Sequence, residues 1–424
     1  MYALRVIRSR AVKGTYDVLP ERRAAWLRLR DATDRVLGRA GVHEIVTPVF
    51  EHSEVFDKSV GESADLVVQK EMYRFEDRGG RSLTLRPEFT AGVLRAYVEH
   101  GMHTRPSPVK LWSLGPAFRA ENVQRGRFRQ FHQVNCEILG RPGPLVDAEA
   151  IALLHDLLAE LGLGGLRVAL GSVGDPEDRE AYNAYLRDAL TPYENDLSAT
   201  SRERLRLNPM RVLDSKDPND QALLADLDKP LDRLGDAARN HLDGVARYLE
   251  AWGIAFDLAP AIVRGLDYYR RTAFEIHAEG IGAQSALAGG GRYDGLVESL
   301  GGPPTPGIGW ALGVERVLDA MEAAGTLPAA EPGPDLFLVP MDERAIDEAA
   351  ALARELRREL HVEHAYVRRA PGKGLRDADR AGARWAALRG ERERERGVWT
   401  LKHLARGEQR EVDDAALAAA VLED

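Results

Sequence analysis

The stretch Phe128-Arg-Gln-Phe-His-Gln-Val-Asn-Cys-Glu-Ile138 alternates, and its period of two predicts a strand with two distinct faces. Arg129, Phe131, Gln133, Asn135 and Glu137 fall on one face, and Phe128, Gln130, His132, Val134, Cys136 and Ile138 on the other. The first face is polar and carries a lone aromatic. A plain surface face would alternate in the same way, so the strand alone decides nothing about chemistry. The loop before it adds the missing weight: Arg119-Ala-Glu-Asn-Val-Gln-Arg-Gly-Arg127 lies between two strand signals. Guanidiniums beside a carboxylate on a hairpin suit a polyphosphate joined to a nucleobase, because guanidinium forks bind phosphate oxygens in bidentate fashion.

Working outward, Val109–Leu114, Ala117–Ala120, Ser82–Leu85 and Ile45–Phe50 also read as strands. Strands joined by short loops predict an antiparallel sheet. Trp26, Leu29, Thr33, Val36 and Leu37 recur at helical spacing in Pro20–Gly41, with Gly38 and Gly41 as the stop, and Thr90–Glu99 reads as a second helix. From Asp175 to about Arg247 the chain is charged and helix-favouring, which predicts a helical insertion. Strand signals resume at Ile262–Ile276, and Gly301–Gly309 leads into an amphipathic helix, Gly313–Ala324. Ala329–Pro334 reads as a linker. Beyond it, strands Leu336–Val339, Glu363–Val367, Arg384–Leu388 and Val398–Leu401 and helices Arg344–Leu360 and Leu375–Arg380 predict a small α/β domain. The ERERER run, Glu391–Arg396, predicts a solvated turn.

Composition narrows the class. A chain of 424 residues suggests about three folding units. It is 44% hydrophobic and 29% charged, as expected of a globular protein. Met1–Arg10 lacks an apolar signal region, and no uncharged run reaches the ~20 residues that a bilayer requires, so a cytoplasmic protein is expected. Cys136 is the only cysteine, which excludes an internal disulfide and a clustered thiolate metal site. The net charge of −9 argues against bulk electrostatic capture of nucleic acid, so any RNA contact must be local.

Two further segments are dense in functional groups. Val263-Arg-Gly-Leu-Asp-Tyr-Tyr-Arg-Arg-Thr-Ala-Phe-Glu275 reads as a strand with Arg264 and Tyr268 on one face; a cation–π pack is the alternative to a binding role. Ala288-Gly-Gly-Gly-Arg-Tyr-Asp-Gly295 lacks the G-x-G-x-x-G spacing of a dinucleotide site. Its successive glycines let the backbone approach a ligand closely.

These segments, with TPVFEHSEVF (Thr47–Phe56), LRPEFTAGVLRAYVEHG (Leu85–Gly101) and GVERV (Gly313–Val317), resemble the histidyl-tRNA synthetase family from Gly14 to Lys402. TPVFEHSEVF is similar to the dimer-forming motif of class II synthetases, FRAENVQRGRFRQFHQ (Phe118–Gln133) to the second class motif and GVERV to the third. The resemblance implies an α+β fold: a class II catalytic domain over 1–330 on a six- or seven-stranded antiparallel sheet with flanking helices, interrupted by a helical insertion at 175–247, and a C-terminal α/β anticodon-binding domain over 331–424. It implies a homodimer that activates L-histidine with ATP and Mg²⁺ and transfers it to tRNA(His).

The same resemblance implies site roles. Arg119 meets the ATP α-phosphate, Phe131 stacks on adenine, Glu121 lies near the adenine amino group, and Arg127 and Arg316 hold the outer phosphates. Arg264 and Arg119 are the catalytic cations. Glu88, Thr90 and Gln133 bind the histidine amino group, while Glu137, Tyr268 and Tyr269 read the imidazole. No protein metal site is expected. Phe89 stands where the family usually has Gly, and Asn122-Val123 replace a usual Arg-Pro.

Two rivals follow from the same residues. A catalytically silent relative, the regulatory subunit of ATP phosphoribosyltransferase, shares the catalytic fold but lacks the C-terminal domain and keeps degraded signatures; a nucleotide-binding signalling protein with a synthetase-like domain is the other. In the C-terminal domain 17 Lys plus Arg face 20 Asp plus Glu, a net of −3, so RNA contact is expected only locally. Arg368, Arg369 and Lys373 are the candidates.

Overall fold

The computed structural model describes residues 10–60, 71–123, 126–260, 262, 268–279, 286–329 and 332–423. The chain divides into two compact units, Met1–Pro328 and Ala329–Asp424. The strands of the first are β1 (His43–Glu44), β2 (Phe50–His52), β3 (Arg74–Glu76), β4 (Ser82–Leu85), β5 (Val109–Phe118), β6 (Gln130–Leu139), β7 (Arg167–Ser172), β8 (Phe256–Leu258), β9 (Arg270–His277), β10 (Ala288–Arg292) and β11 (Gly307–Gly313). The large sheet runs β1-β5-β6-β11-β10-β9-β7-β8. Its six middle strands are antiparallel. The two short edge strands pair in parallel, which makes eight strands rather than the expected six or seven. β2, β4 and β3 form a separate small antiparallel sheet.

The alternation of β6 is realised. Val134, Cys136 and Ile138 enter a core shared with Leu29 and Leu37 of the helix Pro20–Arg39 and with Ile151, Leu154 and Leu158 of the helix Pro144–Glu160. Each fully buried aliphatic side chain contributes roughly 1.5–3 kcal/mol. Beneath β9 and β10, the buried Asp147 accepts from Thr272 Oγ1 at 2.6 Å and from Arg292 Nε at 3.1 Å, with His241 Nε2 at 2.7 Å. A buried ion pair of this kind holds only because every partner is supplied.

Helices Pro176–Leu190, Ala199–Leu207 and Pro218–Ala225 occupy the stretch expected as a helical insertion. Tyr182, Leu186, Leu205, Met210 and Leu224 pack in one cluster with Val93, Tyr97, Tyr269 and Tyr293. A buried carboxylate staples the insertion together: Asp220 accepts from the hydroxyls of Ser198, Ser201 and Ser215 and from the Ser198 amide. The next helix, Asp236–Ala251, packs instead into the core behind the large sheet through Leu242, Val245 and Leu249. The helical sequence read to Arg247 therefore spans two environments.

Three local expectations change. Residues 45–49 do not form a strand; Pro48 has no N–H for a ladder, and the carbonyls of Thr47 and Pro48 accept from Arg86 instead. Val109–Leu114 and Ala117–Ala120 merge into β5, because Pro116 lies beyond the residues that β1 covers and an edge tolerates a missing donor. The segment 263–267, with Arg264, lies outside the described residues, and β9 begins only at Arg270, so Tyr268 and Tyr269 precede the strand.

The second unit is a sheet of β12 (Leu336–Pro340), β13 (Val362–His364), β14 (Trp385–Arg389), β15 (Val398–His403) and β16 (Gln409–Asp413) in the order β13-β12-β14-β15-β16. The first three are parallel and the rest antiparallel. β16 had no expectation in sequence. The ERERER run is solvated as expected but forms a short helix, Glu391–Glu395, rather than a turn, with Arg394 reaching Asp342 at 2.7 Å and Glu348 at 2.8 Å.

Candidate active site

A cavity of about 580 Å³ opens over the polar face of β6. Ten of the expected site residues line it: Glu88, Thr90, Arg119, Glu121, Arg127 and Phe131 among them, with Gln133, Tyr268, Tyr269 and Arg316. Arg264 lies outside the described residues.

At one end the cavity is cationic and aromatic. Arg119 Nε donates to the Pro87 carbonyl at 3.0 Å, and its guanidinium carbon lies 5.1 Å from the centre of the Phe131 ring. Arg127 faces Glu121 at 3.5 Å, and Arg316 donates to the Ala286 carbonyl at 3.1 Å. Burial, and then the neighbouring charge of Arg127, pulls the Arg316 pKa below the ordinary guanidinium value. Cations crowded without a full set of carboxylates favour an anionic ligand.

The other end is acidic. Glu88 caps the helix Thr90–Glu99: its carboxylate accepts from the amides of Thr90 at 2.5 Å and Ala91 at 3.0 Å. Burial raises its pKa all the same. Glu137 sits one layer below the lining and is 1% exposed. It accepts from Thr90 Oγ1 at 2.7 Å, from Asn135 Nδ2 at 3.0 Å and from the Tyr293 hydroxyl. Burial pushes its pKa up to about 7 against those hydrogen bonds, and the charge of Glu88 adds to the rise. Gln133 Oε1 is buried without a hydrogen-bond partner. Two buried carboxylates and an amide oxygen, with no Lys or Arg among the described residues bonded to them, form a receptor for a cationic group bearing N–H donors.

Glycines make this packing possible. A Cβ on Gly309 would lie 1.8 Å from Glu137 Oε2, and one on Gly291 2.7 Å from the Tyr269 ring. The successive glycines Gly290 and Gly291 thus admit a neighbouring strand and a tyrosine ring. Phe89 imposes no backbone strain; it adopts αR geometry, and the Arg86 guanidinium lies 3.9 Å above its ring.

Four contributors escaped the sequence reading. Tyr293 belongs to the Ala288–Gly295 segment, which was read for its glycines. Asn135 was placed on the correct face without a task. Glu315 lines the cavity beside the expected Arg316. Arg204 reaches the wall from the insertion helix Ala199–Leu207, and nothing local in sequence signals it.

Comparison with known proteins agrees with this geometry. The histidyl-tRNA synthetase family model matches residues 14–317. The chain belongs to that family. The anticodon binding domain model matches residues 335–424. The chain is 56% identical to the histidine–tRNA ligase of Thermus thermophilus over 95% of its length and 96% of the relative's. It is 51% identical to that of Deinococcus radiodurans, covering 96% and 98%. The crystal structure of apo histidyl-tRNA synthetase from S. aureus superposes with a TM-score of 0.81 at 34% identity, covering 97% of this chain and 99% of that one. The matches across both units favour the synthetase over the regulatory relative.

In the second unit, Arg369 is tied to Asp377 at 2.8 Å, whereas Arg368 is open and only 3.6 Å from Glu343. Lys373 is exposed. Tyr366, 80% exposed, stands beside them.

Proposed function

We propose that this chain is a histidine–tRNA ligase, which forms histidyl-adenylate and pyrophosphate from L-histidine and ATP and then transfers histidine to the 3′ end of tRNA(His). The observation that carries it is the polarity around a single cavity, with guanidiniums and Phe131 lining one end, and Glu88 lining the other with the carboxylate of Glu137 buried one layer behind it. The histidine carboxylate must attack the α-phosphorus, where one anion approaches another. Arg119 and Arg264 supply the positive charge for the developing pentacoordinate centre, an interaction that is typically worth ~3 kcal/mol. Phe131 stacks on adenine beside Glu121, and Arg127 and Arg316 hold the outer phosphates until pyrophosphate leaves. Glu88, Thr90 and Gln133 take the substrate ammonium. Glu137, with Tyr268 and Tyr269, reads the imidazole; an analogue lacking a ring nitrogen leaves a buried polar group unpaired.

Mg²⁺ enters with ATP. Among the described residues no group of three or more His, Cys, Asp or Glu could hold a metal ion. A cation carried by phosphates needs only one or two protein carboxylates, and Glu121 and Glu275 line the cavity.

Residues 1–330 form the catalytic domain with its insertion at 175–247, and residues 331–424 the anticodon-binding domain, where Arg368, Arg369 and Lys373 contact RNA. The protein is cytoplasmic; no helix among the described residues is long and apolar enough to cross a membrane. It acts as a homodimer through the motif at Thr47–Phe56. Val46 (83% exposed), Val49, Phe50 (52% exposed) and Phe75 present an apolar patch there, with the Phe50 and Phe75 rings 6.2 Å apart, as a surface that is covered in the assembly would. A charging assay tests the function: labelled histidine should become acid-precipitable on tRNA(His), and failure of a folded preparation to charge it would overturn the proposal.

A further inference from the structure

We propose that Tyr16, ahead of the catalytic motifs, is a positioning residue for the ATP end of the cavity: its hydroxyl fixes the Glu315 carboxylate, and Glu315 sets the spacing between β6 and the helix that carries Arg316. The inference rests on the placement of ATP at Phe131 and Arg316 described above.

Glu315 bridges two elements. It lies in the first turn of the helix Val314–Ala324 and is buried. From β6, the His132 amide donates to both carboxylate oxygens, at 2.9 and 3.1 Å, and His132 Nδ1 lies 2.9 Å from Oε1. His132 is flanked by Phe131 and Gln133, which line the cavity, and Glu315 is followed by Arg316, which lines it too. The carboxylate therefore joins the backbone of the adenine platform to that of a phosphate-facing arginine. The remaining donor comes from outside both elements: Tyr16 Oη donates to Glu315 Oε1 at 2.6 Å.

The segment that holds Tyr16 is itself anchored. The Gly14 carbonyl accepts from the Arg129 amide at 2.8 Å and the Gln130 amide at 3.2 Å. Gly14 has φ +88°, and a Cβ there would lie 2.8 Å from Arg129 and Val123 side-chain atoms, so the contact is close. The Tyr16 ring packs 5.0 Å from Phe128, and Trp26 meets His132 edge-on at 4.6 Å. A hydroxyl on so fixed a ring orients the carboxylate it touches. Its removal leaves a buried carboxylate short of one donor and held from the β6 side alone, which loosens the helix turn that carries Arg316.

Tyr16→Phe keeps the ring against Phe128 and removes only the hydroxyl. In histidine-dependent pyrophosphate exchange, KM for ATP should rise about fivefold, roughly 1 kcal/mol, less than a full charge-assisted hydrogen bond because the lost bond acts on ATP only through Glu315. KM for histidine should hardly move, and the melting temperature should fall only slightly, by the cost of the one lost hydrogen bond. Tyr16→Leu, which also loses the ring, should show the same ATP defect with an added loss of thermal stability. An unchanged KM for ATP in Tyr16→Phe overturns the inference, whatever the melting curve does, and so does an equal rise in both Michaelis constants. Arg316→Ala is measured alongside. If it weakens ATP while Tyr16→Phe does not, only the role of Tyr16 fails; if it leaves ATP binding intact, the placement of ATP fails and this inference falls with it.

Discussion

Thr90 Oγ1 donates to Glu137 Oε1 at 2.7 Å across a sequence separation of 47. The bond joins the first residue of the helix Thr90–Glu99 to the strand that carries Phe131 and Gln133. It therefore ties the group proposed for the substrate amine to the group proposed for the imidazole. Tyr293 and Asn135 hold the same carboxylate from two other directions, so Glu137 has a fixed orientation before any ligand arrives, and fixed dipoles cost no reorganisation on binding.

Glu137→Gln keeps the shape and removes the charge. KM for histidine should rise about tenfold or more, while KM for ATP stays within about twofold, because the lost interaction is a charged hydrogen bond at the amino-acid end only. Steady-state exchange kinetics with each substrate varied in turn give both constants. Equal losses would contradict the placement.

The raised pKa of Glu137 also has a stability signature. Its folded pKa of about 7 exceeds the ordinary carboxyl value, so the unfolded chain loses this proton first. The contribution to stability is intact below the ordinary value and is lost as pH rises through about 7. In the ligand-free protein, the melting temperature of Glu137→Gln relative to wild type should climb between about pH 4.5 and 7 and level off above. A difference that is flat across that window would show that Glu137 titrates normally.

The carboxylate beneath the sheet is structural. Asp147→Ala strands the buried Arg292 without its main partner, which should destabilise the first unit by about 3–5 kcal/mol. A melting curve checks this, and a shift no larger than that of an exposed Asp→Ala would refute it.

Arg264→Ala should slow adenylate formation by about 10²-fold or more while histidine and ATP bind nearly as before, as expected of a group that acts mainly at the barrier. Transfer from preformed adenylate should suffer less. Single-turnover rates and a melting curve on one preparation separate this from a packing role, which would lower stability and leave the rate of the folded fraction unchanged.

Much of this was legible in sequence because β6 is two-faced: the period of two put Phe131, Gln133 and Glu137 on the cavity side and Val134, Cys136 and Ile138 in the core. Sequence patterning could not show depth. Glu137 shares a face with Phe131 yet lies behind the lining, where its partners come from residues 90 and 293. Prolines matter in both directions: Pro116 falls between two strand signals, yet the end of β5 that β1 leaves uncovered absorbs it, and Pro48 lies inside a strand signal that it prevents from forming. Arg204 and Tyr16 reach the site from remote segments, and only tertiary packing brings them there.

The most direct test of the central claim, that one cavity joins an ATP end to a histidine-reading end, is amino-acid-dependent exchange of labelled pyrophosphate into ATP. The purified protein should support exchange with histidine and Mg²⁺ and with no other amino acid. Exchange driven equally by another amino acid, or none at all from a folded preparation, would contradict it.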